Sequence, residues 1–397
     1  MVVKTGGRAA AQPPPNLPPE RESRSAALSV DGLEPAARER PASAEELARL
    51  LAEAARAGRS VVPVGGGRAL GMGGALERFD LALETSALDR VVEHSQADLT
   101  VVAEAGITLE ALNDQLKKAG QYVPVDPFAS PGHTVGGLLA TGWSGPLRLR
   151  YGTARDFLIG LRVALPDGRL ASSGGRVVKN VSGYDLNKMH LGALGSLGVI
   201  VEAAFKLYPR PLYEVTVARE MASLEEAWKE AERALDLKMS PVALELLSPA
   251  LGGWRVVARL AATGDAVKRT AAELGWAEID PAFWGEHSGR AARTWARVTV
   301  APRRLMEILE QLPADAAWFA HAGNGVVHWL EAPEDALPRI RAEAEARGGA
   351  LVLLNASPEL KRRIGAWGRE PQGLEVMRQL KRAFDPDGIL SPGRYVV

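Results

Sequence analysis

Glycine placement limits the folds open to this chain more than any other feature. Of its 41 glycines, 23 fall in residues 58–200, whereas eight of the nine tryptophans follow residue 220. Glycine is costly to order, so such density inside an otherwise periodic sequence means a backbone that turns sharply or is approached closely. The densest run is Val61–Gly74, VVPVGGGRALGMGG. A buried strand, VVPV, runs straight into three glycines, whose successive N–H groups can converge without Cβ interference. Such a nest suits a phosphate or pyrophosphate, and a plain flexible turn is the alternative. No G-x-G-x-x-G stands in a strand–helix context, and no Gly-Lys-Ser/Thr follows, so neither common nucleotide motif is present.

Two further segments share this character. Pro131–Gly152 interleaves Gly132, Gly136, Gly137, Gly142 and Gly145 with Thr134, Thr141 and Ser144. It reads either as a long irregular loop or as bare backbone and small hydroxyls set against a flat polar ligand. In Gly174–Ile200, Lys179 and Asn180 are candidate cofactor contacts, and GALGSLGVI is a tight turn into a strand.

Around these segments the chain is ordinary. ASAEELARLLAEAARAGR reads as a helix capped by Ser43 and ended at Gly58, and TLEALNDQLKKAG as a helix from Thr108 to Gly120. TVVAEAG is a strand, and FLIGLRVALPDGRLA a hairpin on Pro-Asp-Gly. Residues 1–27 form a Pro-rich tail predicted to be disordered. The glycine-to-tryptophan shift and the Pro209–Pro211 punctuation divide the rest into 28–212 and 213–397. The second part mixes strands (EVTVARE, WRVVARLAA, ARVTVAP, GALVLLNA) with Ala/Glu/Arg-rich helices, an α+β pattern.

Composition removes several function classes. The 48 Lys+Arg balance 48 Asp+Glu, which is no footprint for nucleic acid. No apolar run reaches the roughly 18 residues of a membrane span, and no secretory h-region opens the chain. With no cysteine there is no disulfide, thiolate nucleophile or protein-held iron–sulfur cluster, so redox chemistry must come from an organic cofactor or a partner.

Taken in order and spacing, the PVGGG loop, the T-x-G-G…G-x-S-G…R-Y-G segment and KNVSGYDL…GSLGVI resemble the FAD-binding domain of the vanillyl-alcohol oxidase/p-cresol methylhydroxylase (PCMH) family, over about residues 40–210. KNVSGYDL and the terminal FDPDGILSPGR are similar to the FAD-binding E-subunit branch of bacterial glycolate oxidases. The resemblance implies an α+β fold: a two-subdomain FAD-binding domain, then a smaller α+β oxidase C-terminal domain for substrate and partner contact. It implies that Gly65, Gly66, Gly67, Arg68 and Ala69 wrap the pyrophosphate, flanked by Pro63, Val64 and Leu70. Thr134, Gly136, Gly137, Ser144 and Gly145 would line the diphosphate and flavin, beside Pro131, Gly132, His133, Thr141 and Tyr151. Gly198, Val199 and Ile200 would sit at the adenosine end. Some relatives attach flavin through a histidine in the first loop; Arg68 and Ala69 stand there, which implies non-covalent FAD.

The implied activity is oxidation of glycolate or a similar short 2-hydroxy acid, with electrons passed through FAD to a partner. The implied partners are a second flavin subunit and an iron–sulfur subunit, in a cytoplasmic hetero-oligomer that can dock at a membrane through them. A self-sufficient FAD-linked oxidase and a non-catalytic assembly subunit are the alternatives. Hydroxy-acid relatives carry His-x-Gly-Asp-Gly-Asn-x-His and a later Glu-His-Gly; here HAGNGVVH keeps His321 and His328, puts Asn324 for the Asp, and no Glu-His-Gly follows. Two histidines without a third strong ligand make a poor metal site, so no metal is expected and the pair reads as structural or as the remnant of a catalytic site. Arg394, in the terminal SPGR, is a second candidate, placing positive charge at the flavin or lying on a fraying end.

Overall fold

The computed structural model describes residues 28–175 and 186–397. The predicted first helix is Ala44–Arg56: the Ser43 side chain accepts from the Glu46 N–H, and Leu47, Leu51 and Ala54 form its buried stripe. It packs beside a three-stranded parallel sheet ordered Ala37–Glu39, Leu81–Glu84, Val61–Val64. A five-stranded antiparallel sheet follows, ordered Val91–Ser95, Thr100–Glu104, Val199–Lys206, Leu158–Ala164, Leu170–Gly174. Its last two strands are the predicted Pro-Asp-Gly hairpin. The resemblance implied an α+β FAD-binding domain of two subdomains for this half, and the α+β character is what is found, with Gln121–Tyr122 and Tyr208–Pro209 adding a two-stranded ribbon.

One stretch that the sequence left open is a helix. Val135–Thr141 is capped by Thr134, whose hydroxyl accepts from the Gly137 N–H, and ends at left-handed Gly142. Its glycines are poor helix formers, but a Cβ on Gly136 would press on Ala105. Close packing against the strand that ends at Glu104 therefore overrides propensity.

The second half is an eight-stranded antiparallel sheet, ordered Ala277–Ile279, Tyr213–Met221, Trp254–Ala262, Ala243–Leu247, Ala317–His321, Val326–Leu330, Trp295–Thr299, Ala350–Asn355. Four of these strands, Ala277–Ile279 and the ones holding Glu245, His321 and His328, were not read from sequence. Alternation sorts their side chains. Leu244, Leu246, Ala320 and Val327 meet the helices on the outer face. Leu247, Phe319, Leu330 and Trp295 turn inward to Met72, Phe128, Trp143 and Leu147 of the first half. Phe128 and Phe319 are fully buried there, each stabilising the junction by about 2 kcal/mol through burial.

The end of the chain does not stay with this sheet. Ile389 accepts from the Val61 N–H (2.8 Å), and the Ser391 N–H donates to Val61 (2.9 Å), so the final segment lies along the strand that feeds the glycine loop. Among the described residues, no helix is long and apolar enough to cross a membrane.

Candidate functional site

Two adjoining clefts open along the glycine loop. The first is walled by Pro63, Gly65–Leu70, Thr134 and Thr141, with Ser391 and Arg394 on the side supplied by the chain's end. The second runs past Gly136, His190, Gly195, Gly198, Val199 and Ile200. They share Pro63, Gly65, Gly137 and Ala140, so they form one elongated channel.

The channel is built for an anionic, extended ligand. The N–H groups of Gly66, Gly67, Arg68 and Ala69 donate to no other described group. Gly66 and Gly67 are exposed and Arg68 and Ala69 half-buried, so these four successive N–H groups are open to a ligand and form a nest. Arg68 Nε and Ser391 Oγ are also buried without a partner on the wall of the first cleft. Side chains cannot replace the glycines: a Cβ on Gly65 would overlap the Thr134 hydroxyl, and one on Gly66 the Gly132 carbonyl oxygen. An elongated channel with a nest of free N–H groups fits a cofactor that carries a diphosphate, as FAD does.

Most of the predicted cofactor residues converge here, but some do not. Val64, Pro131, Gly132, Ser144, Gly145 and Tyr151 line neither cleft. What approaches Gly145 is the Asp126 carbonyl, and what approaches Gly66 is Gly132, so part of the glycine signal records chain-on-chain packing. Tyr151 packs edge-on against Tyr122 and Tyr208. Lys179 lies outside the described residues. His133 does line the first cleft: it is buried, hydrogen-bonds through Nε2 to the Phe128 carbonyl (2.7 Å), and burial lowers its pKa. Sequence reading missed Thr85, His190 and Ser391. Only Ser391 carried a signal, through its place in SPGR. Burial holds His190 down to about 4, so it is neutral at ordinary pH.

Arg394 is no fraying surface residue. It is 4% exposed, bonded to the Leu70 carbonyl and paired with Asp31 (3.2 Å).

A second group of polar side chains lies on the inner face of the eight-stranded sheet. Cross-strand pairing sets Glu245 opposite His321, and His328 opposite both Phe319 and Arg297. His321 Nδ1 lies 2.6 Å from one Glu245 oxygen, and His287 Nε2, from the helix Ala282–Ser288, 3.2 Å from the other. Glu245 is fully buried. Burial alone would raise its pKa, but the two histidines outweigh that and hold it below the ordinary carboxylate value. A carboxylate at Nδ1 favours the tautomer of His321 that carries its proton there; in that tautomer the lone pair is on Nε2, which is buried without a partner. His328 is the mirror case: Nδ1 accepts from Trp295 Nε1 (3.1 Å), so the unpartnered Nε2 is a donor. Burial, with cations such as Arg297 and Arg148 nearby, keeps its pKa well below normal.

Two guanidinium groups complete this face. Arg297 and Arg148 are partly buried, and no described carboxylate lies within 4 Å of either. Burial and the charge of Arg148 bring Arg297 down to about 10, still cationic at neutral pH. One residue bridges this group and the cofactor channel: Phe128, whose carbonyl holds His133 and whose ring stacks on His321 at 5.7 Å. No three described His, Asp or Glu side chains are arranged to share a metal ion.

Known proteins place this geometry. Residues 35–174 match the family described as FAD binding domain, and residues 360–395 match FAD linked oxidases, C-terminal domain. Glycolate oxidase subunit GlcE of Escherichia coli (strain K12) is 31% identical, over 77% of this chain and 84% of its own. Glycolate oxidase subunit GlcD of Bacillus subtilis (strain 168) is 25% identical over 89% and 87%, and D-lactate dehydrogenase of Archaeoglobus fulgidus 26% over 90% of each. Among solved structures, alkyldihydroxyacetonephosphate synthase superposes with a TM-score of 0.68 at 18% identity, covering 89% of this chain and 76% of that one.

Proposed function

The chain belongs to the PCMH-type family of FAD-linked oxidoreductases, and on that premise we propose that it is the FAD-binding subunit of a glycolate oxidase-type assembly, oxidising glycolate or a similar short 2-hydroxy acid. The observation that carries this reading is the pairing of an unspent base with unspent cations on the face turned toward the cofactor half. His321 Nε2 has no hydrogen-bond partner and is a lone pair in the tautomer that Glu245 favours, while no described carboxylate lies within 4 Å of Arg148 or Arg297.

A 2-hydroxy acid supplies both missing partners. Its carboxylate answers the two guanidinium groups, and its hydroxyl proton can pass to His321 Nε2. Glu245 then stabilises the imidazolium that forms, and His287 holds Glu245 from its other oxygen. His328 offers a neutral N–H donor to a substrate oxygen. Phe128, Phe319 and Trp295 are buried on the same face. When bound, FAD supplies the acceptor for the two electrons leaving the Cα–H bond, and the product is the 2-oxo acid.

The FAD is held non-covalently. The first loop presents Arg68 and Ala69, and His133 spends Nε2 on the Phe128 carbonyl. Similarity to both GlcD and GlcE supports a multi-subunit setting, in which a second flavin subunit and an iron–sulfur subunit take the electrons onward. The His321 constellation also favours a second reading, in which this chain oxidises substrate unaided. Anaerobic mixing of the purified FAD-loaded chain with glycolate or D-lactate separates them. Bleaching of the flavin by the chain alone supports the second reading; bleaching only after partner subunits are added supports the first. A flavin that stays oxidised in both mixtures sinks the hydroxy-acid assignment. Acid precipitation that leaves all the yellow colour in the supernatant supports non-covalent binding.

A further inference from the structure

The short turn at the start of the described chain reaches the cofactor channel from behind. Val30 and Leu33 exchange both backbone hydrogen bonds (2.9 Å each) around Asp31 and Gly32, which have positive φ of 53° and 80°. Asp-Gly is the dipeptide that suits two consecutive left-handed positions, so VDGL folds locally into a rigid hairpin turn. Val30 anchors it among Val62, Val64, Leu76 and Phe79, on the strand that delivers the glycine loop.

The turn projects Asp31 into a buried cluster. One oxygen accepts from Lys361 Nζ (2.6 Å); the other accepts from the Leu76 N–H (2.9 Å) and from Arg394 Nη1 (3.2 Å). Lys361 is 3% exposed and Arg394 4%. Two buried cations therefore share one carboxylate, and no other described carboxylate lies within 4 Å of either. Arg394 continues to the Leu70 carbonyl at the far end of the glycine loop and lines the first cleft.

We propose that Asp31 is a positioning residue for FAD: it fixes Arg394 on the cleft wall and against Leu70, and the positive charge it leaves uncompensated complements the anionic cofactor. Desolvating two cations is expensive, and burying them beside a single anion is reasonable only where a further negative group is received. Of the three groups that Asp31 holds, Arg394 is the one that lines the cleft, so its influence on FAD is expected to pass mainly through that side chain.

Titration of the apoprotein with FAD, followed by quenching of flavin fluorescence, tests this. Asp31→Ala is expected to raise the FAD Kd at least tenfold, and Arg394→Ala by a similar factor. In the Arg394→Ala background, Asp31→Ala should add less than twofold, because its route to the cofactor is already cut. Circular dichroism of each apoprotein shows whether the variant is folded. Should Asp31→Ala not fold, Asp31→Asn keeps the side-chain volume while removing the charge, and it too should weaken FAD binding. A Kd within twofold of the wild type in a folded Asp31 variant overturns the proposal. So do Asp31 and Arg394 effects that simply multiply, since those describe two independent structural losses.

Discussion

The two halves of this molecule recognise ligands with different parts of the chain. In the first half the contacting groups are main-chain amides, bared by glycines consecutive in sequence. On the inner face of the eight-stranded sheet they are imidazole, carboxylate and guanidinium groups drawn from five separate segments. Backbone recognition tolerates no added atoms but needs little exact chemistry from side chains. Side-chain recognition depends on each group's protonation and partner. The halves should therefore fail differently when perturbed.

The largest contrast is expected between Gly66→Ala and His321→Gln. A methyl at Gly66 would overlap the Gly132 carbonyl, so FAD retention is expected to vanish, with a stability cost of about 1–3 kcal/mol or more. Equilibrium dialysis against FAD checks this, and full flavin occupancy in a folded Gly66 variant would remove the nest from the cofactor site. His321→Gln should do the reverse, keeping FAD while slowing flavin reduction by substrate roughly 10²–10⁴-fold. Stopped-flow reduction is the measurement, and a rate within threefold of wild type dismisses His321 as the base.

Arg297→Gln sharpens the comparison at smaller scale. Losing a charge-assisted hydrogen bond costs about 1.5–3 kcal/mol, so binding of oxalate, a non-oxidisable stand-in for the substrate, should weaken about 10- to 150-fold. FAD affinity should not change. Equal weakening of both ligands would mean that the arginine supports the fold and not a carboxylate.

The pH dependence is confined to stability, and there the two groups pull in opposite directions. Burial keeps His190, on the cofactor channel, down to about 4. The unfolded chain takes up that proton near pH 6.5, so this group costs stability as pH falls from 6.5 toward 4. Burial raises Asp126, at the junction, to about 7. The folded chain then keeps a proton that the unfolded chain loses near pH 4, so stability drains as pH rises from 4 to 7. Asp126→Asn should be more stable than wild type at pH 8 by roughly 2–4 kcal/mol and show little gain at pH 4. Thermal midpoints at the two pH values check it, and an equal shift at both would refute the titration of Asp126.

This division also explains what could be read from sequence. Helix caps at Ser43 and Thr108, the Pro-Asp-Gly hairpin and the Gly65–Ala69 nest are local signals, and each stands where expected. Gly145 and Ser144 looked like cofactor contacts for the same reason, yet Gly145 is bare because Asp126 passes it; composition does not say which neighbour a glycine admits. Glu245 was invisible. It reaches His321 across 76 residues, and only strand order makes them opposite. The missing Glu-His-Gly left His321 with no acid in the sequence, and the fold provides one from an earlier strand.

The return of Ile389–Arg394 to the Val61 strand leaves the first half incomplete until that distant segment has been made. A fragment ending at residue 212 would carry every glycine of the channel and still lack the wall that holds Ser391 and Arg394. It would also expose the apolar groove that Ile389 and Leu390 plug. The cleft is thereby completed by a segment more than 300 residues away from the loop it faces, so damage to Ile389–Arg394 would open the channel without touching any of its glycines.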